Sequence, residues 1–97
     1  MTASDIRSRL AGAGPSFREG LRVSAVSVFG SVARGEAGTE SDVDILVDFD
    51  GPADFDRFMA LKERLEAALG RPVDLVTRKA LRPELRAAIE REAVVVA

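Results

Sequence analysis

The chain has 97 residues, 46% of them hydrophobic and 31% charged, with a formal net charge of −2; that predicts one small globular domain over residues 1–97 with a single core. It has no cysteine and no histidine, which excludes disulfides, Cys/His zinc sites, thiol nucleophiles and imidazole acid–base catalysis and leaves oxygen ligation, suited to Mg²⁺, Mn²⁺ or Ca²⁺, for any metal. With no basic field and no tyrosine or tryptophan, autonomous nucleic-acid binding is not expected; with no apolar run near ~18 residues and no charged-then-apolar leader, the expected setting is the cytoplasm, away from any membrane.

Thr2-Ala3-Ser4-Asp5 reads as a capping box ahead of Ile6, Leu10 and Ala13, so a short first helix is predicted, with Gly12 and Gly14 as its exit. Pro15 to Leu21 offers one or two further helical turns, with Phe17 and Leu21 at i,i+4 spacing and Gly20 weakening them. From Val23 to Phe29 the alternation sets Val26 and Val28 on one face and Ala25 and Ser27 on the other, the pattern of a half-buried strand. Val32 to Arg34 supplies about one helical turn before Gly35, and Gly38-Thr39-Glu40 reads as loop. Along the strand Asp42 to Phe49, Val43, Ile45 and Val47 face one way while Asp42, Asp44 and Leu46 face the other.

Asp54 or its neighbourhood caps the next helix, whose stripe Phe55, Phe58, Leu61, Leu65 and Leu69 is expected in the core, with Gly70 and Pro72 ending it. A strand from Pro72 to Thr77 turns Val73 and Leu75 inward and Asp74 outward. Pro83 opens a last helix with Leu85, Ala88 and Ile89 as its apolar face, and Val94 to Val96 reads as a short edge strand. Together these elements predict an α/β (α+β) layer structure: a small mixed sheet with helices on one face and Asp42, Asp44 and Asp74 on the other.

Carboxylates at i and i+2 on one strand have Cβ atoms about 6.5–7 Å apart, twice the strand rise, and their rotating ends can converge on one or two cations. Three such charges repel one another until a divalent ion offsets them. Gly30-Ser31, at a strand-to-helix junction with ten residues between it and Asp42, is a turn that can point N–H groups and a hydroxyl at an anion. Either feature alone is common and weak. Combined with an aspartate standing out from the apolar strand around Asp74, they point to metal-assisted phosphoryl or nucleotidyl transfer.

The turn GSVARG (Gly30 to Gly35), the strand SDVDILV (Ser41 to Val47) and the strand RPVDLV (Arg71 to Val76) resemble the minimal nucleotidyltransferases of the DNA polymerase β superfamily, and the likeness extends over about residues 20 to 96. That resemblance implies a polymerase-β-like fold and an antitoxin whose partner is a HEPN-domain ribonuclease toxin, inactivated by transfer of AMP from Mg-ATP. It further implies that Gly30 and Ser31 hold the β- and γ-phosphates, that Asp42 and Asp44 bridge two Mg²⁺ ions, with Mn²⁺ as a substitute, and that Asp74 completes the metal that activates the incoming hydroxyl. Arg34 and Gly35 complete the nucleotide-binding turn, Arg34 either neutralising phosphate or bracing Asp42 and its neighbours. Ser41 positions the acidic strand.

Asp48 and Asp50 read instead as surface charge near a turn, and Arg78, Lys79 and Arg82 as a solvated basic face rather than a triphosphate or partner contact. Two other functions fit the same residues: an antitoxin that neutralises by occlusion without catalysis, and nucleotidyl transfer to a small molecule or RNA end, which the negative charge and short chain disfavour. A chain without tyrosine cannot modify itself at tyrosine, so a tyrosyl acceptor would lie on another protein.

Overall fold

A computed structural model describes residues 1–36, 42–52 and 54–97. The predicted loop at Gly38-Thr39-Glu40 and the predicted site residue Ser41 lie outside the described residues. The elements run α1 (Ala3–Leu10), α2 (Gly14–Leu21), β1 (Val23–Phe29), α3 (Gly30–Ala33), β2 (Val43–Phe49), α4 (Phe55–Leu69), β3 (Val73–Thr77), a 3₁₀ turn (Arg78–Ala80), α5 (Pro83–Glu92) and β4 (Val94–Val95).

The helix starts follow local chemistry. Thr2 accepts from the Asp5 N–H while Asp5 accepts from the Thr2 N–H, a reciprocal cap for α1. Those bonds hold the Asp5 carboxyl below its usual range. Asp54 accepts from the Arg57 N–H to start α4, and Gly70 ends it at φ 67°, a left-handed position where a side chain would be strained. Gly20 does not interrupt α2, which runs its two turns to a left-handed Arg22.

The sheet order is β3-β2-β1-β4, with β1 antiparallel to β2 and β4 and β2 parallel to β3. A parallel pair requires a crossover, and α4 supplies it. Ile6, Leu10 and Phe17 from the first two helices meet Leu61, Leu65 and Leu69 of α4 over the face formed by Val26, Val28, Val43, Ile45 and Val47. Full burial of each such side chain is worth about 1.5–3 kcal/mol. At the edge, Arg7 Nη2 donates to the Val95 carbonyl at 2.8 Å and ties α1 to β4.

Three packing expectations need correction. Phe55 is 75% exposed rather than core, because it is the first residue of α4 and the cluster begins further along the helix. Leu85 is 51% exposed, Ala88 is exposed and only Ile89 is partly covered, so the apolar face of α5 is hardly buried. Periodicity identifies an apolar side without supplying anything to cover it. β1 is also more than half-buried: Ser27 and its register partner Leu46 are both buried, although they point away from the main core.

Candidate active site

β2 and β3 bring the carboxylates together. In their parallel register Asp44 lies beside Asp74. Asp42 immediately precedes β2, two residues from Asp44 and on its face. The alternation that buries Val43, Ile45, Val73 and Leu75 leaves Asp42 and Asp74 exposed and Asp44 half-buried. Asp44 is pushed above the usual carboxylate range, first by burial and then by the charges of Asp74 and Asp42, with Arg34 opposing and Glu92 adding to the shift.

β1 delivers the turn to the same place. Phe29 pairs with Asp44, so the next residue, Gly30, opens α3 directly against the Asp44 carboxylate. Gly30 has φ 69°, and a Cβ there would collide with Asp44 Oδ2 and lie 3.1 Å from its Cγ. Only glycine admits that approach. Gly35, at φ 74°, closes the turn with its N–H on the Val32 carbonyl. Ser31 is the second residue of α3, and its carbonyl accepts the Glu36 N–H at 2.8 Å.

Arg34 is held between two carboxylates: Nε donates to Glu36 Oε2 at 3.1 Å and Nη1 to Glu92 Oε2 at 3.2 Å. These bonds raise its pKa further. Arg34 thus links the turn to α5 rather than to Asp42. Glu92 was not singled out from sequence. Its Oε1 also accepts the Gly30 N–H at 2.8 Å. The available signal was an acidic residue in the last turn of α5, where the helix dipole disfavours negative charge.

Asp48 is not simple surface charge, nor is Arg78 part of a solvated face. Arg78 Nε and Nη2 donate to the two Asp48 oxygens at 2.9 and 3.0 Å, and Nη1 pairs with Glu90. That fork keeps Arg78 protonated well above its ordinary range. Asp50, Lys79 and Arg82 are exposed, as expected.

The donor set fits a divalent cation in chemistry, being all carboxylate oxygen, and among the described residues no ion pair holds Asp42, Asp44 or Asp74. It is not a closed cage: among the described residues no three acidic side chains stand close enough to enclose an ion. The exposed Asp42 and Asp74 side chains have room to turn toward a shared cation.

Asp42 just ahead of β2, Asp44 in it, Asp74 in register on the parallel neighbour and a glycine turn against them make a candidate site for nucleotidyl transfer. Residues 15–96 match the nucleotidyltransferase domain, and the chain belongs to that family of enzymes. It is 43% identical over 96 residues to the protein adenylyltransferase MntA of Thermococcus cleftensis, covering 99% of this chain and 97% of that one. Its fold is similar to a solved structure described as a candidate minimal nucleotidyltransferase, with a TM-score of 0.81 and 40% identity, covering 97% of this chain and 95% of the other. At 19% identity and a TM-score of 0.67, covering 95% and 71%, it shares the fold alone with a solved complex of a tri-AMPylated Shewanella oneidensis HEPN toxin and an MNT antitoxin. Among the described residues no helix is long and apolar enough to cross a membrane.

Proposed function

We propose that this nucleotidyltransferase is an antitoxin that transfers AMP from Mg-ATP to a hydroxyl of a partner HEPN ribonuclease toxin and so inactivates it. The observation that carries the reading is the register Asp44↔Asp74 beside a Gly30 whose missing side chain leaves room for Asp44. The near full-length similarity to a protein adenylyltransferase supports AMP as the transferred group and protein as the acceptor. The missing tyrosine supports an acceptor in trans where that acceptor is a tyrosyl oxygen.

In this reading Asp42, Asp44 and Asp74 would hold the Mg²⁺ ions. Bound there, such ions offset charge on the triphosphate and on the attacking and leaving oxygens. Ser31 orients the β- and γ-phosphates from the first turn of α3, and Gly35 ends that turn. Asp74, exposed beside Asp44, takes the proton of the acceptor hydroxyl as the hydroxyl oxygen bonds to the α-phosphorus and pyrophosphate departs. Arg34 keeps the turn in place. Ser41 positions the acidic strand.

Incubating the chain with labelled ATP, Mg²⁺ and the HEPN partner tests this. Label should appear on the partner, and Asp44→Asn should reduce transfer by more than about a hundredfold, beyond the range typical of outer-shell groups, while the two proteins still bind. No label on the partner with the native chain would refute AMP transfer. Full neutralisation by the Asn variant would favour occlusion.

A further inference from the structure

Glu92 is fastened to the Gly-Ser corner from an element far away in sequence. Its Oε1 takes the Gly30 N–H at 2.8 Å, and its two oxygens take Arg34 Nη1 at 3.5 and 3.2 Å. Gly30 is the residue lying against Asp44, so one carboxylate grips both ends of the turn that flanks the acidic group. α5 has no buried residue of its own; its end is brought to the corner by β4, which follows at once and pairs Val94 with Val28, two residues before Gly30. A carboxylate that accepts a backbone N–H while pairing with Arg34 has a geometric task that an apolar residue could not perform.

We propose that Glu92 is a positioning residue for nucleotidyl transfer, an inference that rests on the nucleotidyltransferase reading above. Its carboxylate fixes the Gly30 peptide and Arg34 so that Ser31 and Asp44 face the same triphosphate. The Gly30 N–H is thereby committed to Glu92, and the phosphate-holding role at the corner passes to Ser31. Glu92 touches neither substrate nor the reacting atoms and acts through the turn.

The test compares Mg-ATP affinity by calorimetry, and KM and kcat for AMP transfer to the HEPN partner, in the full-length native chain and in Glu92→Ala, Glu92→Gln and Glu90→Ala. Misplacing the corner should raise the Kd and KM for Mg-ATP about tenfold or more in E92A. The amide oxygen of E92Q still accepts the Gly30 N–H and should hold both within about threefold of native. E90A removes the α5 partner of Arg78 without touching the turn, so its Kd and KM should match the native values. An E92A chain with unchanged Kd and KM overturns the proposal by showing a merely structural contact, and tighter binding overturns it by showing that Glu92 competes with phosphate. Should E92A fail to fold, Glu92→Asp, one methylene short of Gly30, must bind Mg-ATP more weakly than E92Q; the reverse order overturns the proposal. A native chain that binds Mg-ATP without labelling the partner removes the toxin reading and leaves the affinity comparison decisive. A native chain that binds no Mg-ATP overturns both.

Discussion

Asp44 and Asp48 lie on the same face of one strand, about 13 Å apart at ~3.3 Å per residue, and the fold treats them in opposite ways. At the far end of β2, Arg78 from the turn after β3 forks onto both oxygens of Asp48 and is steadied by Glu90. At the near end, Asp44 faces Asp74 and Asp42, while the nearby cation Arg34 is occupied by Glu36 and Glu92. The chain thus neutralises one acid with its own guanidinium, whereas among the described residues no ion pair offsets the other group. A paired carboxylate is held by the architecture, whereas a group of carboxylates left in mutual repulsion is a candidate binding site.

Gly30→Ala should sharpen this contrast most. The added methyl meets the Asp44 carboxylate at a positive φ, so AMP transfer should fall about a hundredfold or more. Kinetics on the purified variant would check it, and near-native turnover would remove Gly30 from the site.

At the other end, Arg78→Ala should lower stability by about 1 kcal/mol, the upper range for a partly exposed pair, without changing kcat. Thermal melting beside the transfer assay separates the two effects. A lost kcat at full stability would show that the two ends are coupled.

The smallest effect concerns charge itself. Because the folded-state pKa of Asp44 is raised, the unfolded chain releases that proton first as pH increases. The stability contributed by protonated Asp44 is therefore complete below the unfolded pKa and is lost as pH rises through the folded one. Without divalent ions at neutral pH, Asp44→Asn should melt slightly above the native chain, with the gap closing in acid. Mg²⁺ should raise the native melting temperature more than that of the variant. Melting curves across pH, with and without Mg²⁺, decide; an Asn variant that melts lower at neutral pH contradicts the picture.

Sequence alone made the acidic half of the site legible because strand alternation is local. The residues between Asp42 and Phe49 announce which side chains face away from the core, and the apolar neighbours of Asp74 do the same. The caps at Thr2 and Asp54 and the exit at Gly70 were equally readable, since each bond spans only a few residues. Glu92 was not, because its contact with Gly30 joins positions 62 residues apart. The Asp48–Arg78 fork was missed likewise, depending on a parallel register that no short pattern encodes. The exposure of Phe55 and Leu85 belongs with these, for a stripe gives direction but not what covers it.

The pairing of β2 with β3 has one more consequence. A slip of a single residue would rotate Asp74 into the hydrophobic layer and expel Leu75 into water, a state too unfavourable to persist. The sheet therefore proofreads its own active centre: every molecule that completes folding presents its aspartates on the correct side. Variation within such a scaffold can still erase or misplace the chemistry through a side chain or the Gly30 turn, but the pairing itself keeps Asp44 and Asp74 side by side.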